Sequence, residues 1–282
     1  MNFALINNCN ESSLQLTYMK ELVEEIMKII DLSIALESGL PSDPPDYIPY
    51  IDYRNHRDTA LDMLEYFGDA TVDDLPEGNG WAVEFLKLST HGGTHIDAPY
   101  HYYPTMNGGE RAWTIDEVPL EWFHGQAVVV DFRDKPDGYK VEIIDFEEYF
   151  KKINYTLKSG DIVLVNTGAS KNWGSKKYLS SGCGMTKAAT LWLVNQGVNV
   201  VGTDAWSWDR PLPLIAKEFN ETHNKDLIWE GHRAGAVKAY CHIEKLTNLE
   251  SLPITGSQIF CFPIKIKGAS AAWIRAVGFV EE

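Results

Sequence analysis

The segment His91–His101 reads HGGTHIDAPYH and brings three imidazoles and a carboxylate into eleven residues. His91, His95 and Asp97 are nitrogen and oxygen donors of the kind that divalent transition metals accept. Four residues apart, two histidines would share a helix face, but Gly92, Gly93 and Pro99 disfavour a helix here. We expect instead a strand end that turns through Gly92 and Gly93. His95 and Asp97 then lie at i and i+2 on one side of an extended segment, and His91 curls back toward them. Glycine permits the positive φ and the close backbone approach that such a turn needs. His101, four residues beyond Asp97, could complete a ligand shell or stand beside it as a proton acceptor, because a free imidazole titrates near neutrality. A polar loop of hydrogen-bonded histidines is the plain alternative. Four ligand-type side chains in so short a stretch weigh against it.

The elements that would hold this cluster alternate along the chain. WAVEFLKLST reads as a strand leading into the cluster. GQAVVVDF, SGDIVLVNTG and VNVVGTDAWSWD are short, β-branched apolar runs bounded by turn residues, as buried strands are. EIIDFEEYFKKIN and TKAATLWLVNQG are expected helices, the second with Thr186 as N-cap and Gly197 as its stop. VKAYCHIEKL, SQIFCFPIKIKG and AAWIRAVGFV add further strands. Near the start, residues 15–30 carry apolar side chains at helical spacing, which suggests an amphipathic helix packing on the body or on a second subunit. The pattern contains no repeats and no evident linker. It predicts one α/β domain with a mixed sheet core flanked by helices, residues 31–282, preceded by a helical extension over residues 1–30.

Composition narrows the function. The formal net charge is −15, which argues against nucleic acid or an anionic membrane surface, since phosphate binding needs clustered Lys and Arg. No apolar run approaches the ~20 residues of a membrane span, and the first residues lack the basic and apolar regions of a signal peptide. A cytoplasmic protein acting on a small molecule is the expectation. Four cysteines lie far apart with no CxxC pair, so reduced, mostly buried thiols are expected, not a disulfide scaffold or a zinc–thiolate site.

HGGTHIDAPYH resembles the HxGTHxDxPxH signature of the metal-dependent cyclase-like hydrolases, a superfamily that includes bacterial kynurenine formamidase and isatin hydrolase. GHRAGAVKAYCHIEKLTNL carries a second match, with His232 and Glu244 twelve residues apart. The likeness extends from about residue 30 to the C-terminus. It implies a swivelling β/β/α, cyclase-like fold and a metal held by His91, His95 and Asp97. Glu244 would be a further ligand, and Asp97 could bridge to a second ion bound by His232 and Glu244. One or two ions of Mn2+ or Zn2+ are implied, with His101 as general base or proton shuttle. His242, two residues before Glu244, is a weaker candidate that could face the same side of a strand. Homodimers or homotetramers are usual in the family.

Trp81, Trp113 and Trp206 lie near the motif segments and could wall a pocket for a flat substrate, although each could equally serve the core or an interface. Asp204 and Asp209 follow a strand, where turn or capping roles compete with a site role. His56, His124 and His223 are expected at the surface. The segment from about Leu212 to Trp229 looks like an insert that would add to the pocket rim. The resulting expectation is a metal-dependent amidohydrolase opening a cyclic amide, an isatin-like lactam or imide, by metal-activated water. An arylformamidase acting on N-formylkynurenine, a metal-binding protein without turnover, and a lyase or dehydratase using the metal to stabilise an enolate are the alternatives.

Overall fold

A computed structural model describes residues 27–281. Its centre is a nine-stranded mixed sheet. Four neighbouring strands, His124–Asp131, Ile162–Asn166, Val200–Thr203 and Cys241–Glu244, run parallel in that order. Antiparallel strands extend the sheet on both sides. Thr255–Phe260, Val277–Glu281 and Met27–Asp31 lie beyond His124–Asp131, and His95–Asp97 and Ala271–Trp273 lie beyond Cys241–Glu244.

The central residues of three of these strands, Ala127–Val130, Ile162–Val165 and Val200–Val201, are apolar and buried because both faces are covered there. Alternation splits each strand between two cores. Ala127, Val129, Ile162, Leu164 and Val200 join one core, together with Ile96 and Ile243. Val128, Val130, Val163, Val165 and Val201 face the other, beneath the helices Ile143–Lys152 and Lys187–Asn195. Those helices are crossovers between successive parallel strands. Their ends carry the expected chemistry: Thr186 Oγ1 accepts from the Ala189 N–H at 3.1 Å, and Gly197 follows the last turn at φ +91°.

Three regions read from the sequence are placed as follows. Among the described residues the strand Val83–Lys87 pairs only with Tyr50–Arg54, outside the main sheet, and its Phe85 and Leu86 are exposed. The helix expected over residues 15–30 lies mostly outside the described residues, and its last four residues form part of the edge strand Met27–Asp31. The expected domain boundary at residue 30 therefore falls within that strand. Cys183, Cys241 and Cys261 are buried free thiols, as expected. Among the described residues no helix is long and apolar enough to cross a membrane.

Candidate metal centre

Two strands build the site. His95–Asp97 and Cys241–Glu244 pair antiparallel, with His242 opposite Asp97 and Glu244 opposite His95. Alternation sends these four polar side chains to one face and Ile96 and Ile243 into the core behind them. Directly opposed residues on one face bring their Cβ atoms to about 5 Å, so the register alone gathers two imidazoles and two carboxylates. All four are buried. A slip of one residue would send them into the apolar core.

The expected turn precedes this strand. Gly93 has φ +68°, and an added Cβ would lie 2.5 Å from the Leu36 side chain. Past the turn His91 reaches back, and its Nδ1 stands 2.9 Å from Asp97 Oδ1. His101, on the single turn Pro99–Tyr102, places Nε2 3.6 Å from Asp97 Oδ2. His232 comes from the segment before the turn Ala234–Val237, with Nε2 3.5 Å from Glu244 Oε1 and 3.9 Å from Asp97 Oδ2. Asp97 thus sits between two groups of donors: His91 and His101 on one side, His232, His242 and Glu244 on the other.

Partners on the outer nitrogens fix which atoms face inward. His95 Nδ1 meets the Gly93 carbonyl at 2.8 Å, an acceptor, so Nδ1 carries a proton and Nε2 is the nitrogen turned inward. His232 Nδ1 bonds the Asp209 carboxylate in the same sense, and Asp209 also accepts from the Gly231 N–H at 2.8 Å and the His232 N–H at 3.0 Å. Glu244 Oε1 accepts from the Trp208 N–H at 2.9 Å. Outer partners of this kind set the tautomer and orientation of metal-binding histidines. Asp209, whose sequence position left a turn role equally open, is therefore the residue that aims His232.

The electrostatics follow from two buried carboxylates. Burial opposes charge on His95, but Asp97 and Glu244 outweigh it and lift the imidazole to about 9. His242 is lifted to about 9 in the same way. Asp97 is held well below the usual carboxylate range, because His101, His91 and His95 overcome its burial. His101 moves oppositely: burial, reinforced by His91 and His232, pulls it down to about 3 against the attraction of Asp97.

A divalent cation fits these residues. His95 Nε2, His242 Nε2 and both Asp97 carboxylate oxygens are buried without a hydrogen-bond partner. Orphaned buried polar atoms are costly, and here they converge from several sides. Nitrogen and oxygen donors suit zinc or manganese.

His91, His95, Asp97, His101, His232 and Glu244 are thus brought together as the sequence suggested. His242 joins them more fully than its spacing alone revealed; its signal was the i, i+2 alternation with Glu244. The tryptophans are placed differently. Trp81 packs edge-on to Tyr66, Trp113 packs on Trp122, and Trp206 donates to Asp43 at 2.8 Å. None of the three rings pairs with a histidine of the cluster among the described residues. Trp229 does: its ring stacks on His232 at 4.4 Å and meets His101 edge-on at 5.0 Å. His56, His124 and His223 are exposed, as expected.

The chain is similar to several known proteins. A rice (Oryza sativa subsp. japonica) protein called cyclase-like protein 3 is 24% identical over 84% of this chain and 87% of its own length. Kynurenine formamidase of Erythrobacter litoralis is 26% identical over 89% of this chain and 93% of its own. Among solved structures, an isatin hydrolase bound to the product analogue thioisatinate superposes with a TM-score of 0.72 at 18% identity, covering 96% of this chain and 99% of that one. Isatin hydrolase A of Labrenzia aggregata, bound to benzyl benzoate, gives 0.70 at 23% identity, covering 96% and 100%. The Cyclase family model matches residues 30–210, more than half of the sequence and including the whole HGGTHIDAPYH segment, so the chain belongs to the Cyclase family.

Proposed function

We propose that this protein is a metal-dependent amidohydrolase that opens a cyclic amide, an isatin-like lactam or imide. The observation that carries the reading is the set of inward-facing, unpartnered nitrogen and oxygen atoms on His95, Asp97 and His242, with the half-buried imidazole of His101 beside Asp97. His91, His95, Asp97, His232 and Glu244 would hold one or two ions of Mn2+ or Zn2+. Such an ion supplies Lewis acidity toward a carbonyl and lowers the pKa of bound water to about 7.

The chain's own residues do the rest. His101 accepts the proton of the attacking water and returns it to the leaving nitrogen as the C–N bond breaks. Asp97 stays ionised and fixes His91 and His101 on one side. Trp229 offers an aromatic face next to His101, which suits a planar ring. It ends the segment from Leu212, and in this reading that segment adds to the pocket rim. Trp81, Trp113 and Trp206 remain proposed substrate contacts.

The test is turnover of an isatin-type lactam, a cyclic imide and an N-formyl aryl amine, with Mn2+ or Zn2+ added. Ring opening is expected, and product formed in oxygen-18 water carries the label in its new carboxylate. His101→Ala should retain metal and lose about 10²- to 10⁴-fold in rate; full turnover refutes the assignment. The second reading, an arylformamidase acting on N-formylkynurenine, is favoured by the 26% likeness to a kynurenine formamidase, and a preference for the formyl amine in the same panel selects it. A metal-binding protein without turnover gains only if the loaded protein opens no member of the panel; a base-type imidazole beside the ligands speaks against it.

A homodimer or homotetramer in the cytoplasm completes the proposal. It is supported by the exposed Tyr50, Tyr53, Tyr66, Phe67 and Phe85 along residues 50–85. Light scattering after size exclusion tests it, and a stable monomer rejects it.

A further inference from the structure

His242 lies outside the ligand set implied by the two sequence motifs, yet its surroundings leave its inner nitrogen little other use. The ring is fully buried and stacks on Tyr102, with centroids 4.9 Å apart, and on Trp208, 6.2 Å apart. Its Nδ1 is 3.3 Å from the Tyr240 hydroxyl. That hydroxyl donates its one proton to the Gly231 carbonyl at 2.9 Å, so toward His242 it can only accept. Nδ1 therefore carries a proton, and Nε2 is the nitrogen left to face inward.

Nε2 faces two acceptor-only atoms, Asp97 Oδ2 at 3.0 Å and Glu244 Oε1 at 3.2 Å. Three electron-rich atoms this close require a positive charge among them. A proton on Nε2 would have to point at one of the oxygens, but neither lies where an Nε2–H could bond it, and Nε2 remains unpartnered. A cation placed between the three atoms has no such directional restriction. Asp97, His232, His242 and Glu244 each offer one donor atom, all within 4.8 Å of one another.

We infer that His242 is a direct metal ligand, which makes the side of the site built by Asp97, His232 and Glu244 a four-residue center of two imidazoles and two carboxylates. The inference rests on the metal-dependent reading above and extends it. A second imidazole shifts that center toward zinc and away from manganese, since imidazole suits zinc and an all-oxygen environment suits manganese.

The decisive measurement uses the native chain. Protein labelled with 15N-histidine and loaded with 113Cd(II) should show cadmium-split Nε2 signals for His242, alongside His95 and His232. Splitting at His95 and His232 with His242 unsplit overturns this inference alone. No splitting at any histidine overturns the metal-dependent reading with it. His242→Phe, which keeps a flat ring between Tyr102 and Trp208, should fold and lose at least about 100-fold in Zn(II) affinity, more than removal of an outer partner costs, with Mn(II) affinity reduced less. Unchanged affinity for both ions in the folded variant would also overturn it.

Discussion

Asp209→Asn isolates the aiming of His232 from the bulk of the site. The Asp209 carboxylate is buried and accepts three hydrogen bonds: one oxygen takes the Gly231 N–H, and the other takes both the His232 N–H and the His232 Nδ1–H. An asparagine has one acceptor oxygen in the same volume. If that oxygen serves His232, the amide nitrogen faces the Gly231 N–H, donor against donor. If it serves Gly231, the amide N–H faces Nδ1 and drives the imidazole to the tautomer with a proton on Nε2, which removes the lone pair aimed at Asp97 and Glu244. Either way at least one buried donor loses its partner, at about 1–3 kcal/mol. Loss of an outer partner of a ligating histidine costs about 10- to 100-fold in metal affinity, equivalent to about 1.4–2.8 kcal/mol. Zn(II) titration against a chromogenic chelator reads the affinity, and melting with and without EDTA reads the coupling to stability. The native protein should melt higher with zinc, and in Asp209→Asn that increment should shrink. An unchanged affinity with an unchanged increment would show that His232 is not held for a metal.

Other substitutions test the scaffold. Gly231→Ala would place a Cβ 2.8 Å from the Met185 carbonyl and 3.0 Å from Asp209 Oδ2; overpacking of this kind costs about 1–3 kcal/mol, read in urea unfolding, and zinc affinity should fall with it. Ile96→Ala, in the fully buried position behind His95 and Asp97, should cost about 2–5 kcal/mol, and a loss below about 1 kcal/mol would contradict the assigned core. Asp145 caps the helix Ile143–Lys152 by accepting from the Glu142 N–H at 2.8 Å, and it pairs with Lys135. Burial works against its charge, but Lys135, the Glu142 N–H and Tyr139 outweigh this and lower its pKa. Its contribution is thus present above the unfolded value near 3.9 and is lost as pH falls through the lower folded value. Asp145→Ala should therefore cost about 1 kcal/mol at neutral pH and progressively less below pH ~4; a gap that does not narrow on acidification refutes this account.

The sequence by itself determined the chemistry of the first group of donors. The glycines at 92 and 93 and the alternation of His95 with Asp97 dictated a turn followed by an extended segment, because a helix there is disfavoured locally. The β-branched runs before and after the crossover helices dictated buried strands, and Thr186 and Gly197 marked a helix's two ends. All of these are short-range effects of backbone sterics and side-chain periodicity. His232 and Glu244 were named from the sequence through the family resemblance, but only the tertiary structure decided how distant residues reach the cluster. His242 and Glu244 gain their roles from the register that sets Cys241–Glu244 against His95–Asp97, and no local pattern encodes that pairing. Asp209 becomes the partner of His232 across 23 residues, and Trp229 reaches His101 from beyond the helix Leu212–Thr222. The tryptophans at 81, 113 and 206 show the converse. Closeness in sequence to a motif did not bring their rings against the histidines, because packing with Tyr66, Trp122 and Asp43 fixed each ring where it lies.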